Sequence, residues 1–155
     1  MEKFLEKLTE AEKIIKTTDH MVYTSFPMVK DKRLLLRVLS EIKSAITICI
    51  TSILQYEYLY KRINLYKNPK ENFRIFTEKC ANNYMITREE IKIILELFEI
   101  VEKHKKSSME FIREDKIIIL SDKLEPKTLT LEKTKEFLET SKNILKKTRL
   151  NLMQK

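Results

Sequence analysis

The sequence predicts a mainly all-α protein: a bundle of about five helices around one long central helix, with a small β-hairpin before the C-terminal helix. Three observations predict it. The 155 residues include no glycine, the residue that reaches positive φ without penalty and marks many turns and loops. One heptad run of apolar side chains continues without a break from Leu35 to Ile63. Two polar stretches, Asn68-Pro69-Lys70-Glu71 and Thr87-Arg88-Glu89-Glu90, read as helix starts. An apolar fraction of 43% is ordinary for a globular chain, so residues 1–155 can bury one core and form a single domain.

Taken in order, Phe4, Leu8, Ala11 and Ile15 give the first segment a helical stripe. The stripe fades near Thr17, and the β-branched, proline-containing stretch to Met28 reads as an irregular connection. The central helix follows from about Asp31 to Tyr66. Leu35, Leu39, Ile42, Ile46, Cys49, Ile53, Tyr56, Tyr60 and Ile63 form its seam, and Ile48, Ile50 and Leu54 widen the apolar surface at its middle. Such a helix would be about 50 Å long, longer than the other segments can cover. One end should therefore project or pair with another copy.

Asn68 is placed to cap a short helix running to about Ala81, with Pro69 in its first turn, Glu71 closing a capping box, and Phe73 and Phe76 facing inward. Thr87 and Glu90 form a second capping box, opening a helix to about Lys105 with Ile91, Ile94, Phe98 and Val101 on one face. Lys116 to Leu120 and Lys127 to Thr130 favour strand and are separated by the polar stretch SDKLEP, the pattern of a hairpin. Thr130 caps the last helix, where Leu131, Leu138, Leu145 and Leu152 recur every seven residues with Thr134, Ser141 and Thr148 between them. This narrow, partly polar stripe predicts a helix on the outside of the bundle.

The composition also narrows function. Walker loops, dinucleotide fingerprints and nucleophile elbows need glycine where the backbone turns tightly or meets a phosphate, and this chain has none. Lys and Arg outnumber Asp and Glu by 31 to 23, a formal charge of +8 that favours polyanions. Lys and Ile dominate here as they do in proteins from A/T-rich or heat-loving genomes, and that background would produce the same excess. Cys49 and Cys80 lack the CxxC spacing or the nearby histidine of a thiolate metal site. No helix offers the Glu-x-x-His pair of a di-metal carboxylate bundle, so no metal or cofactor is expected. The charged start MEKFLEKLTE is unlike a secretory signal, and the uncharged run Ser44 to Tyr56 is too short to span a bilayer, so a cytoplasmic protein with no membrane partner is expected.

Two basic surfaces are candidates for binding RNA or another polyanion. Around the end of the central helix, Tyr58 and Tyr66 interleave with Lys61, Arg62 and Lys67, the pairing of aromatic faces and cations that suits unpaired bases and phosphates. Tyr56 and Tyr60 lie on the seam and are expected in the core. Near the C-terminus, Lys142, Lys146, Lys147 and Arg149 share a face, with no acidic residue from Lys142 onward. Dipole complementation at a helix end would explain that second cluster equally well. His104, in Lys103-His104-Lys105-Lys106, fits a solvated helix end, and His20 beside Asp19 is the one site for acid–base chemistry.

An amphipathic first helix, a long apolar helix such as LLLRVLSEIKSAITICITSILQYEYLYKR and then shorter capped helices resemble the HEPN-type helical bundles of archaea and bacteria over about residues 1–105. The nuclease members of that family carry an Arg followed four to six residues later by His. Neither His20 nor His104 has an Arg at that distance upstream. The resemblance therefore implies a non-catalytic bundle that dimerises. A nucleic-acid-associated binding protein is the first expectation and a homodimeric interaction module the second. An enzyme built on Asp19, His20 and Arg113 is the third, with no coherent reaction to recommend it.

Overall fold

The computed structural model describes residues 2–31, 33–106, 109–113, 116–120 and 126–153. Helix α1 (Glu2–His20) runs through a π-helical turn, Met21–Ser25, into the single-turn α2 (Phe26–Val29). Helix α3 (Arg33–Leu59) is the centre of the bundle, and α4 (Pro69–Ile75), α5 (Arg88–Lys106) and α6 (Leu131–Met153) complete it. A π-helical turn, Phe76–Cys80, and a 3-10 turn, Ala81–Tyr84, extend α4 toward α5. Between α5 and α6 lie three antiparallel strands in sequence order, β1 (Met109–Arg113), β2 (Lys116–Leu120) and β3 (Pro126–Leu129).

The seam drawn on α3 is the middle of the core. Leu35, Leu39, Ile42, Ile46, Cys49, Ile53 and Tyr56 are buried, and α1, α5 and α6 pack around them. Covering the apolar stripe of a helix from several sides removes it from water at about 25 cal/mol per Å², which is why the most evenly apolar helix takes the middle position. The reciprocal box at α5 is present: Thr87 Oγ1 accepts from Glu90 N at 3.1 Å, and Glu90 Oε1 accepts from Thr87 N at 2.9 Å. Thr130 Oγ1 caps α6 by accepting from Lys133 N at 3.1 Å.

Four local expectations are corrected and one, the hairpin, holds and gains a strand. First, α1 does not fade at Thr17, because Thr18 satisfies its hydroxyl on the Ile14 carbonyl at 2.7 Å and Val22 and Phe26 carry the buried stripe onward. Second, α3 ends at Leu59 rather than Tyr66. Lys61 takes φ 60°, with Lys61 N bonded to Tyr58 O and Arg62 N to Glu57 O, both at 3.0 Å. That is a Schellman stop with a lysine where glycine is usual. The helix is therefore about 40 Å long, and Tyr60 leaves the seam for the surface while Ile63 folds back into the core.

Third, Asn68 caps α4 by accepting from Lys70 N at 2.9 Å, but Glu71 pairs with Arg74 instead of closing a box. Fourth, the expected hairpin exists as β2 and β3, with Ile117 opposite Leu129 and Ile119 opposite Lys127, and β1 adds a third strand beside β2. Ile117, Ile119 and Leu129 are buried where β2 and β3 meet α5, while the expected turn at 121–125 lies outside the described residues. Fifth, α6 is not peripheral. Thr134, Phe137, Leu138, Ser141, Ile144, Thr148 and Leu152 are buried against α1, α3 and α5. The hydroxyls enter the core at little cost because each finds a carbonyl on its own helix: Thr134 on Thr130 at 2.8 Å, Ser141 on Leu138 at 2.6 Å and Thr148 on Ile144 at 2.7 Å.

Candidate nucleic-acid interface

The Schellman stop turns the chain sharply at the end of α3 and presents residues 58–67 as a corner before α4. Tyr58, Tyr60 and Tyr66 are each 54% exposed there. Tyr60 was expected in the core; its ring instead lies against Tyr56, centroids 4.8 Å apart, with the Arg62 guanidinium 5.3 Å from its centroid. The segment is held in place by an amide clasp, in which Asn72 Oδ1 accepts from Tyr66 N at 2.8 Å and Asn72 Nδ2 donates to Tyr66 O at 2.7 Å. The aromatic rings therefore stand on a fixed backbone, which lowers the entropy lost when they stack on a ligand.

The cations of the corner divide into two kinds. Lys61 and Lys67 are exposed and have no ion-pair partner among the described residues. Arg62 is anchored: its Nη1 donates to Glu57 Oε2 at 3.0 Å, while Tyr84 Oη donates to Glu57 Oε1 at 2.9 Å. The Glu57 side chain is only 6% exposed, so a buried carboxylate at the end of α3 ties the corner to the 3-10 turn before α5. Desolvation, and then the neighbouring Glu57 carboxylate, push the Tyr84 phenol well above its ordinary value, and the Glu57 hydrogen bond raises Arg62. Arg62 thus belongs to the support of the corner, with part of its guanidinium still open to solvent.

The C-terminal cluster is not a free cationic face. Lys142 Nζ donates to Asp19 Oδ1 at 2.6 Å and to Glu139 Oε1 at 3.3 Å, Lys147 pairs with Glu90, and Arg149 Nη2 donates to Glu12 Oε2 at 3.1 Å. Lys146 alone of the four is exposed without an ion pair among the described residues. No acid follows Lys142 on α6, yet α1, the first turn of α5 and Glu139 one turn earlier on α6 supply the partners. The pairing is mutual: the Arg149 hydrogen bond, followed by that of Lys16, lowers Glu12, and the Asp19 hydrogen bond raises Lys142.

Asp19 is bound to Lys142, His20 is exposed at the end of α1, and the Arg113 side chain lies outside the described residues. Cys49 and Cys80 are buried and separate, and burial pushes the Cys49 thiol up to about 12. Among the described residues, no group of three His, Cys, Asp or Glu could hold a metal ion, and no helix is long and apolar enough to cross a membrane. Comparison with models of protein families, with curated proteins and with solved structures finds no match for this chain, so the likeness to HEPN-type bundles rests on its helix pattern alone.

Proposed function

We propose that this protein is a non-enzymatic, RNA-associated binding protein whose contact surface is the corner between α3 and α4. One observation carries the reading: Tyr58, Tyr60 and Tyr66 expose their rings beside Lys61 and Lys67, cations that no described carboxylate neutralises. Stacking on an aromatic ring contributes about 1–3 kcal/mol per unpaired base, and the lysines add a salt-dependent attraction to phosphate. Arg62 positions the corner and offers its open edge, and of the C-terminal cluster only Lys146 adds to the field. A cytoplasmic location accompanies this reading, since that is where single-stranded RNA would be met.

The test is fluorescence anisotropy with short single-stranded RNA, single-stranded DNA and duplex at two salt concentrations. Single-stranded RNA should bind best, with affinity falling as salt rises by a log–log slope of about 0.7 per phosphate contact. The double variant Lys61→Glu, Lys67→Glu should lose the binding, whereas Lys147→Gln should not. Absence of binding at low salt would end the proposal. Met28 and Val29, 81% and 65% exposed at the bend between α1 and α3, favour a second reading, a homodimeric interaction module. Light scattering decides it: a monomeric mass at high concentration removes that reading.

A further inference from the structure

We propose that the groove between α3, α4 and α5 is a binding site for a small anionic amphiphile, a molecule with an apolar body and one acidic head. The groove has a volume of about 630 Å³, within the usual span of about 300–1,000 Å³ for small-molecule sites. Its walls are Ile50 and Leu54 of α3, Leu65 of the corner, Phe73 of α4, and Leu95 and Phe98 of α5. Phe73 and Phe98 form one continuous aromatic wall, with ring centroids 5.7 Å apart. Leu95 is 48% exposed, an apolar side chain that solvent would normally disfavour and a ligand would cover.

The charge at the rim gives the head group its sign. Among the described residues, Lys43 and Lys70 are the charged groups of the lining, and no carboxylate lines it. Lys43 is half-buried, with Nζ 5.6 Å from the Phe98 ring centroid, and it has no ion-pair partner among the described residues. A partly desolvated ammonium gains most from an anion that reaches it from an apolar surround, because the same surround weakens competition from water. Thr47, Thr51, Gln55 and Asn72 supply the few polar groups that orient a head group. A neutral apolar ligand would cover Lys43 without supplying a counter-charge, and a cationic one would be repelled by both lysines. A medium-chain carboxylate satisfies the walls and the rim together. The exposed tyrosines, Lys61 and Lys67 do not line it, so its ligand is tested apart from RNA.

Isothermal titration with decanoate, kept below its micellar concentration, tests the site on the full chain. Saturable binding with one molecule per protein is expected, and Lys43→Gln should weaken it about tenfold, the loss of one charge-assisted contact. Decanol, which lacks the acid, should bind about tenfold more weakly than decanoate and be indifferent to Lys43→Gln. Thr51→Trp should fill the groove and remove binding. A second pair of variants avoids any dependence on core packing: at the exposed Leu95, Leu95→Asp should weaken decanoate and Leu95→Lys should strengthen it. Failure of decanoate to bind overturns the proposal, as does unchanged binding across both Leu95 variants. Equal affinities for decanoate and decanol overturn the assignment of an acidic head.

Discussion

Replacing Tyr84 with Phe isolates the energetic role of the buried carboxylate under the α3–α4 corner. The ring is fully buried, so Phe keeps the packing and opens no cavity; only the hydroxyl that donates to Glu57 Oε1 at 2.9 Å is lost. A hydrogen bond to a charged group contributes about 1.5–3 kcal/mol, because the carboxylate is left short of a donor it cannot replace with water. A loss of about 2 kcal/mol in a chain of this size lowers Tm by about 4–8 °C, and with m near 2 kcal/mol per M it moves the urea midpoint down by about 1 M. The assay is urea unfolding followed by circular dichroism, comparing midpoints at unchanged m. Arg62→Met, which removes the donor to Glu57 Oε2, completes a double-mutant cycle. Because both donors serve one carboxylate, the two losses should be non-additive. A loss below about 0.5 kcal/mol for Tyr84→Phe, or strict additivity with Arg62→Met, would refute the role given to Glu57.

Three further outcomes follow from buried or paired groups. Ser52 Oγ is a buried side-chain atom without a hydrogen-bond partner among the described residues; Ser52→Ala should therefore raise stability by about 1 kcal/mol, read as an upward shift of the urea midpoint. The Cys49 thiol, pushed up to about 12 by burial, should resist a disulfide reagent at pH 8 and react only when the protein unfolds; rapid labelling of the native protein would contradict its placement. Glu12 is held low by Arg149 and then by Lys16, so the unfolded chain takes up this proton first as pH falls. Its contribution is present at neutral pH and disappears as pH drops below the ordinary Glu value of about 4.3 and through the lower folded value. Arg149→Gln should make the acid limb of a stability–pH profile shallower, and parallel limbs would show that the pair carries no linkage.

The parts of the fold that were legible in the sequence are those whose signal is local or periodic. The α3 seam and the Thr87–Glu90 box were readable because spacing alone determines which side chains meet. The end of α3 was not, since the usual terminator is glycine and here Lys61 takes the left-handed conformation. The burial of α6 was hidden because Thr134, Ser141 and Thr148 look polar in sequence, yet each closes its hydroxyl on its own helix and behaves as a small core residue. The candidate site was legible in part for the same reason. Tyr58, Lys61, Tyr66 and Lys67 gather on one corner as their proximity in the chain suggests, whereas the fate of Lys142, Lys147 and Arg149 depended on acids from distant helices. The groove was invisible beforehand, since it draws its walls from three helices and the corner.

The ion pairs of α6 also settle where that helix stops along its own axis. Its leucines repeat every seven residues, so a slide of one heptad, about 10 Å, would set leucine on leucine again. The pairs with α1 share this ambiguity: Lys142–Asp19 and Arg149–Glu12 are themselves seven residues apart on both antiparallel helices. A slide would bring one basic residue onto the other's carboxylate. The pairs with α5, Lys133–Glu96 at 2.9 Å and Lys147–Glu90, do not repeat in this way. In one direction Thr140 would take the place of Lys133, in the other that of Lys147, and the attraction would be gone. Helix α1 thus draws α6 in without choosing among equivalent positions, and the acids of α5 remove the degeneracy.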